Sequence, residues 1–238
     1  MKTISVMQGK TIFIIGASSG IGHALATTLQ AQGATLITAG RREPEGIQST
    51  HLNWDVTQPA GDLAKQLPDT IHGLVYCPGT INLKPFQRLS VADYQHDLQV
   101  NVLGAIGAIH AAFPALKKAK GASVVLFSTV AAKLGMSLHS SVGIAKSAVE
   151  GLTKSLAAEF APSLIRVNAV APSLTDTPLA HFLLGDDTKR EAANKRHPLG
   201  RFGAPTDIAN MAAFLVSDQA AWITGQIVGV DGGMGSVK

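Results

Sequence analysis

Thr11-Ile12-Phe13-Ile14-Ile15-Gly16-Ala17-Ser18-Ser19-Gly20-Ile21-Gly22 is the stretch that decides the fold. Its first five residues are β-rich and apolar without alternation, the pattern of a strand covered on both faces. Three glycines follow, and residues 21–32 then take up a helical apolar period. Glycine permits the tight strand-to-helix turn. It also lets backbone N–H groups approach an anion at the positive end of the helix, so this segment reads as a pyrophosphate cradle.

Working outward, the same alternation recurs. Strand-like runs lie at 35–38, 51–54, Gly73–Tyr76, Ser123–Phe127, 166–170 and 226–230, and helical patterns at 59–67, Val91–Lys118, 139–160 and 206–217. Seven strands separated by helices imply right-handed crossovers. They predict an α/β fold, a doubly wound Rossmann-type parallel seven-stranded sheet with helices on both faces. One connection, 40–49, is too short for a packed helix and holds Pro44 and Gly46, so it is expected to be a loop. With no linker or repeat, residues 1–238 read as one dinucleotide-binding and catalytic domain. The polar stretch 174–203, punctuated by Pro178, Gly185, Pro198 and Gly200, is expected to form a substrate lid.

Composition excludes several classes. The chain is 46% hydrophobic and 15% charged, which excludes disorder and coiled coil. The excess of 20 Lys and Arg over 16 Asp and Glu is a charge of +4 without a dense basic cluster, so no nucleic-acid partner is expected. The single cysteine, Cys77, makes no internal disulfide and fits a reducing compartment. The eight histidines lack metal-ligand spacing, so no metal site is expected. No N-terminal apolar leader and no uninterrupted apolar span stand out, and the expectation is a cytoplasmic protein with no membrane partner.

Gly16, Gly20 and Gly22 give the spacing Gly-x-x-x-Gly-x-Gly. Asp55-Val56, Asn101, Lys146, the run Val167-Asn168-Ala169-Val170-Ala171-Pro172-Ser173 and Asp231-Gly232-Gly233 follow in order. In these motifs, and over its whole length, the chain resembles the short-chain dehydrogenase/reductase family, and within it the 3-oxoacyl-carrier-protein reductases. The resemblance implies hydride transfer between a nicotinamide cofactor and a small-molecule carbonyl or alcohol. It implies cofactor contacts from Gly16, Ser18, Ser19, Gly20, Ile21, Gly22, Arg41, Asp55, Val56, Gly79, Lys146, Pro172 and Thr177. The second strand run leads to Gly40-Arg41-Arg42, where an acid would repel a 2′-phosphate and an Arg would grip it. NADP(H) is therefore favoured over NAD(H). Ser19 stands where some NADP-preferring relatives carry a base, and a solvated Arg pair is the alternative reading.

In the family a Tyr delivers the proton, a Lys four residues later supports it, a Ser polarises the carbonyl and an Asn completes a relay. Lys146, Thr129 and Asn101 match the last three roles. Val142 occupies the Tyr position, and a valine has no proton to give. Tyr76 and Tyr94 lack the spacing to replace it, whereas His139 precedes Val142 by about one helical turn and is the candidate substitute. Cys77-Pro78-Gly79 replaces the family's Asn-Ala-Gly, and Cys77 reads as a buried residue and not a nucleophile. The leading expectation is an oxidoreductase that is atypical or weakly active. The rival is a catalytically silent NADP(H)-binding sensor or partner subunit. The helices 91–118 and 139–160, with the apolar terminus at 222–228, imply by resemblance a homo-oligomer, a dimer or tetramer.

Overall fold

The computed structural model describes residues 6–237, so residues 1–5 and 238 of the expected domain lie outside the described residues. Seven strands, β1 (Thr11–Ile15), β2 (Thr35–Gly40), β3 (Ser49–Asn53), β4 (Gly73–Tyr76), β5 (Ser123–Phe127), β6 (Arg166–Pro172) and β7 (Ile227–Val230), form one sheet. Their order is β3-β2-β1-β4-β5-β6-β7, and every pairing is parallel. The chain order reverses between β1 and β4, and an open parallel sheet binds ligands at the carboxyl ends of the strands flanking such a point.

Why the first strand is continuously apolar is now visible, because Ile12 to Ile15 are fully buried. Phe13 and Ile15 join one core layer with Leu74, Val124 and Leu126. Ile12 and Ile14 join the other with Val75 and Val125. Helices α1 (Gly20–Ala31) and α8 (Pro205–Val216) cover the second layer. Helices α4 (Gly104–Lys118) and α6 (Ser140–Phe160) cover the first.

The expected long helix at Val91–Lys118 is one run with a defect. α3 (Val91–Leu98) opens with Ser90 and Asp93 in a reciprocal capping box and passes through a π turn at Gln99–Leu103 before α4. The widened turn holds Asn101. Beside it the buried Tyr76 hydroxyl donates to the carbonyl of Val100 at 2.6 Å. By length and composition this run passes as a membrane span, yet half of its most apolar stretch is buried inside the protein, as in a core helix.

Elsewhere the structure departs from the pattern reading. The segment 59–67 yields only the short α2 (Leu63–Gln66), because Pro59 and a positive φ at Gly61 keep the preceding residues out of helix. Thr129 caps an unanticipated single turn, α5 (Val130–Lys133). The stretch 174–203 holds more regular structure than its punctuation implies, with a 3-10 turn at Pro178–Leu183 and α7 (Asp187–Lys195) capped by Asp186. A bridge between Thr175 and Gly203 closes its base, and Arg190 pairs with Asp176 at 2.7 Å.

Candidate cofactor and substrate site

The turn after β1 is shaped by close approach. Gly16 adopts φ +80°, and a side chain at Gly22 would lie 2.2 Å from the Gly16 carbonyl oxygen, so the first turn of α1 abuts the strand end. Ser19, the residue before α1, makes no side-chain cap, and the first turn holds no acid. The leading N–H groups of α1 have no intrahelical acceptor. With the helix dipole behind them, they suit a diphosphate.

A cavity of about 440 Å³ runs from this turn across the ends of β2 and β3. Gly16, Ser18, Ser19, Gly20, Ile21, Gly22, Arg41, Asp55, Val56, Gly79 and Thr177 all line it. Arg41 and Arg42 are exposed at its far end. The nearest atom to a side chain built on Gly40 would be the Arg42 carbonyl oxygen at 3.8 Å, so the space an acid would fill is open. Asp55 accepts from the Thr57 N–H at 2.9 Å and the Thr57 hydroxyl at 2.8 Å, and these donors hold its carboxyl below the usual range. It stands ionised as an acceptor.

A second cavity, of about 240 Å³, opens from the first. Ile21, Cys77, Gly79, Thr80, Thr177 and Leu179 line both, so the two form one trough. Thr129, His139, Val142, Lys146 and Pro172 line this inner end. Asn101 lines neither cavity and lies beneath Gly79. A side chain on Gly79 would meet both Asn101 Oδ1 and Lys146 Nζ at 3.3 Å. The absent side chain leaves the floor of the trough open to these two groups. The cradle, the ionised Asp55 and this floor fit a nicotinamide dinucleotide.

Lys146, 7% exposed, donates from Nζ to the Phe127 carbonyl at 2.8 Å, leaving two of its three protons for a ligand. Burial pushes its ammonium down to about 8, opposed by the charge of Asp97 and by Cys77. Asn101 donates to the Thr80 hydroxyl and to the Asp97 carbonyl, both at 2.8 Å, while its Oδ1 has no described partner. Asp97 is itself fully buried and accepts from the Ser141 hydroxyl. Neither Asp97 nor Ser141 was distinguishable in sequence, since their pairing joins two helices 44 residues apart.

Val142, 5% exposed, sits on α6 one turn before Lys146. Thr129 lies beside them, but its hydroxyl donates to the Pro172 carbonyl and accepts from the Ala131 N–H, both at 3.3 Å. It must rotate to polarise a substrate oxygen. Ser128 turns away, donating to Glu150 Oε1 at 2.7 Å. His139 is the N-cap of α6, with Nδ1 2.6 Å from the Ser137 carbonyl. A carbonyl only accepts, so Nδ1 carries a proton and donates it there. Both tyrosines are engaged elsewhere, Tyr76 with Val100 and Tyr94 with Ser140 at 3.0 Å. Burial pushes the Cys77 thiol up to about 12, which makes it a poor nucleophile. Ser173, the last residue of the run from Val167, and His197, which carried no sequence signal, also line the cavity, with Oγ and Nε2 2.8 Å apart.

A seven-stranded parallel sheet with a glycine cradle at its switch point defines a dinucleotide-binding α/β protein of Rossmann type. Residues 16–235 match the family model described as Enoyl-(Acyl carrier protein) reductase, and the chain belongs to the short-chain dehydrogenase/reductase family. It is 32% identical over 244 residues to the 3-oxoacyl-[acyl-carrier-protein] reductase of Thermotoga maritima, covering 96% of this chain and 98% of that protein. Among solved structures it is similar to the aldohexose dehydrogenase of Thermoplasma acidophilum, with TM-score 0.89 and 32% identity over 97% of this chain and 95% of that one. It is also similar to a gluconate 5-dehydrogenase from Burkholderia cenocepacia in complex with NADP and tartrate, with TM-score 0.90 and 26% identity over 99% of both chains.

Proposed function

We propose that this protein binds NADP(H) in preference to NAD(H) and slowly interconverts a small carbonyl compound and its alcohol. The observation that carries the reading is the convergence of Asn101 Oδ1 and Lys146 Nζ, each 3.3 Å from one point above Gly79, where the cofactor cradle meets the inner cavity. When bound, the dinucleotide supplies the two-electron step. Lys146 holds ribose hydroxyls with the protons that Phe127 leaves free, and Asp55 accepts from the adenine amino group. Arg41 offers its planar fork to a 2′-phosphate. Thr129, once rotated from the Pro172 carbonyl, donates to the substrate oxygen. The segment 174–203 serves as the lid, with Thr177 and Leu179 facing both cavities.

The slowness follows from Val142. A positioned acid contributes about 10²–10⁴-fold to such a reaction, and Val142 offers no proton to the cavity. The same side chain favours a second reading, a silent NADP(H)-binding sensor or partner subunit. Titration calorimetry with NADPH and NADH, followed by NADPH consumption against a panel of aldehydes and ketones, separates the two. Tighter NADPH binding with slow turnover on some member is the expected result. Tight binding with no turnover anywhere selects the second reading, and no binding of either dinucleotide overturns both.

Assembly as a homo-oligomer accompanies this reading. Ile144 on α6, Leu138 and Phe86 are exposed around one shallow surface, and Trp222 is fully exposed. Apolar groups grouped in this way are more often covered by a second copy than left to water. Light scattering should give a mass at least twice the 24.7 kDa of one chain.

A further inference from the structure

The inner cavity is unbalanced in charge. Among the described residues that line it there is no Asp or Glu, whereas Lys146 and Arg196 both carry cationic groups. Arg196 ends α7. Other cations of this segment are tied down, Lys189 to Asp186, Arg190 to Asp176, Lys195 to Glu191 and Arg201 to Asp207. The Arg196 guanidinium has no side-chain hydrogen-bond or ion-pair partner among the described residues. It is the cation on this segment that faces the cavity.

Beside it stands a polar pair, buried His197 and half-buried Ser173. His197, 4% exposed, has Nδ1 2.7 Å from the Ala193 carbonyl, so Nδ1 donates there, and its Nε2 lies 2.8 Å from the Ser173 hydroxyl oxygen. Ser173 Oγ also lies 3.0 Å from Met234 Sδ, a weak acceptor that a ligand oxygen would replace as the target of the single Ser173 proton. The pair puts polar atoms in the wall of a cavity that also presents Leu83, Leu174, Leu179 and Leu183, where a polar group of a ligand can meet them.

We propose that the substrate carries a carboxylate, gripped bidentately by Arg196, with a hydroxyl or carbonyl of the same molecule beside Ser173 and His197. This rests on the carbonyl/alcohol reading above and names the substrate class for that site. A volume of about 240 Å³ equals about eight waters, which suits a short oxo- or hydroxy-carboxylic acid. A carboxylate matches one guanidinium fork, whereas the three oxygens of a phosphate ask for more donors than this wall presents.

The test uses probes that do not react. NADPH-saturated protein is titrated calorimetrically with propanoate, butanoate and pentanoate and with the primary amide of each. Within each pair size is nearly constant and charge differs. At least one carboxylate should bind tenfold or more tightly than its amide. Arg196→Gln should erase that ratio, and Arg196→Lys, a point charge without the fork, should retain part of it. Equal or undetectable binding of all pairs by protein that holds NADPH overturns this proposal and leaves the dehydrogenase reading standing. A ratio that survives Arg196→Gln overturns the assignment to that residue. Protein that binds neither NADPH nor NADH refutes the dehydrogenase reading, and the proposal with it.

Discussion

The two ends of the trough are built under different demands. The outer end is lined largely by backbone, with Gly16, Gly20 and Gly22 bringing main chain to the cavity wall and Arg41 and Asp55 presenting side chains. The inner end is lined by side chains, Lys146, Thr129, Val142 and the Ser173–His197 pair, with Asn101 beneath Gly79. A backbone cradle tolerates little substitution, because a methyl group at Gly22 would collide with Gly16. A side-chain cluster can lose one member, as proposed at Val142, while the fold stays intact. On the proposed reading binding and chemistry are largely separable, with Lys146 serving both, and the first three substitutions below act on one end at a time.

The largest expected effect is at the inner end. Val142→Tyr should raise turnover on a responsive carbonyl by about 10²–10⁴-fold, since Lys146 and Asn101 remain in place to serve a restored hydroxyl. Steady-state kinetics with circular dichroism as a folding check measures it. A folded variant no faster than wild type would end the separation drawn above, because the missing acid would then not be what limits the inner end. Gly22→Ala should weaken NADPH and NADH alike by about 10–100-fold, reflecting the 1–3 kcal/mol typical of overpacking. Arg41→Ala should weaken NADPH alone, by roughly the 1.5–3 kcal/mol of a charge-assisted hydrogen bond. Calorimetry on both dinucleotides distinguishes these two patterns.

The smallest effect is on stability. Lys146 titrates near 8 in the folded chain against an ordinary 10.5, so between those values the unfolded chain binds a proton that the folded chain lacks. Stability contributed by this group therefore rises with pH across that window, and below it the buried charge weighs against folding. Lys146→Met should flatten the rise and stabilise the protein at pH 7 by about 1–3 kcal/mol in urea unfolding, while weakening cofactor binding.

What the sequence made legible follows the same division. The sheet was readable because strands covered on both faces are unbroken apolar runs, as in β1 and β5, and the cradle because its three glycines fall within one short stretch between strand and helix. Most of the residues matched to the cofactor line the outer cavity, whereas Lys146 and Pro172 line only the inner one. Arg166–Pro172 extends two residues past the reading because Ala171 and Pro172 pair with Gly229 and Val230, a contact made by a strand distant in sequence. The Asp97–Ser141 and Ser173–His197 pairs were invisible for the same reason. Each joins polar residues that look like ordinary surface choices until the fold buries them. α7 was missed because its sequence, Asp187-Thr188-Lys189-Arg190-Glu191-Ala192-Ala193-Asn194-Lys195, buries only Ala193 and so carries almost no apolar period.

The π turn at Gln99–Leu103 acts as a phase shifter. An α-helix advances about 100° per residue, and a π turn accommodates one residue more than the α-helical period without carrying that rotation into the next turn. Ala105, Ala108, Ala112 and Ala115 face the sheet in α4 only because the extra residue has been absorbed upstream. Deleting Val102 would regularise the helix and turn that alanine row about 100° away from the sheet. The local gain in hydrogen-bond geometry would be overwhelmed by the loss of a whole packed face, so an insertion that looks like a flaw keeps the two halves of the helix in register with the core.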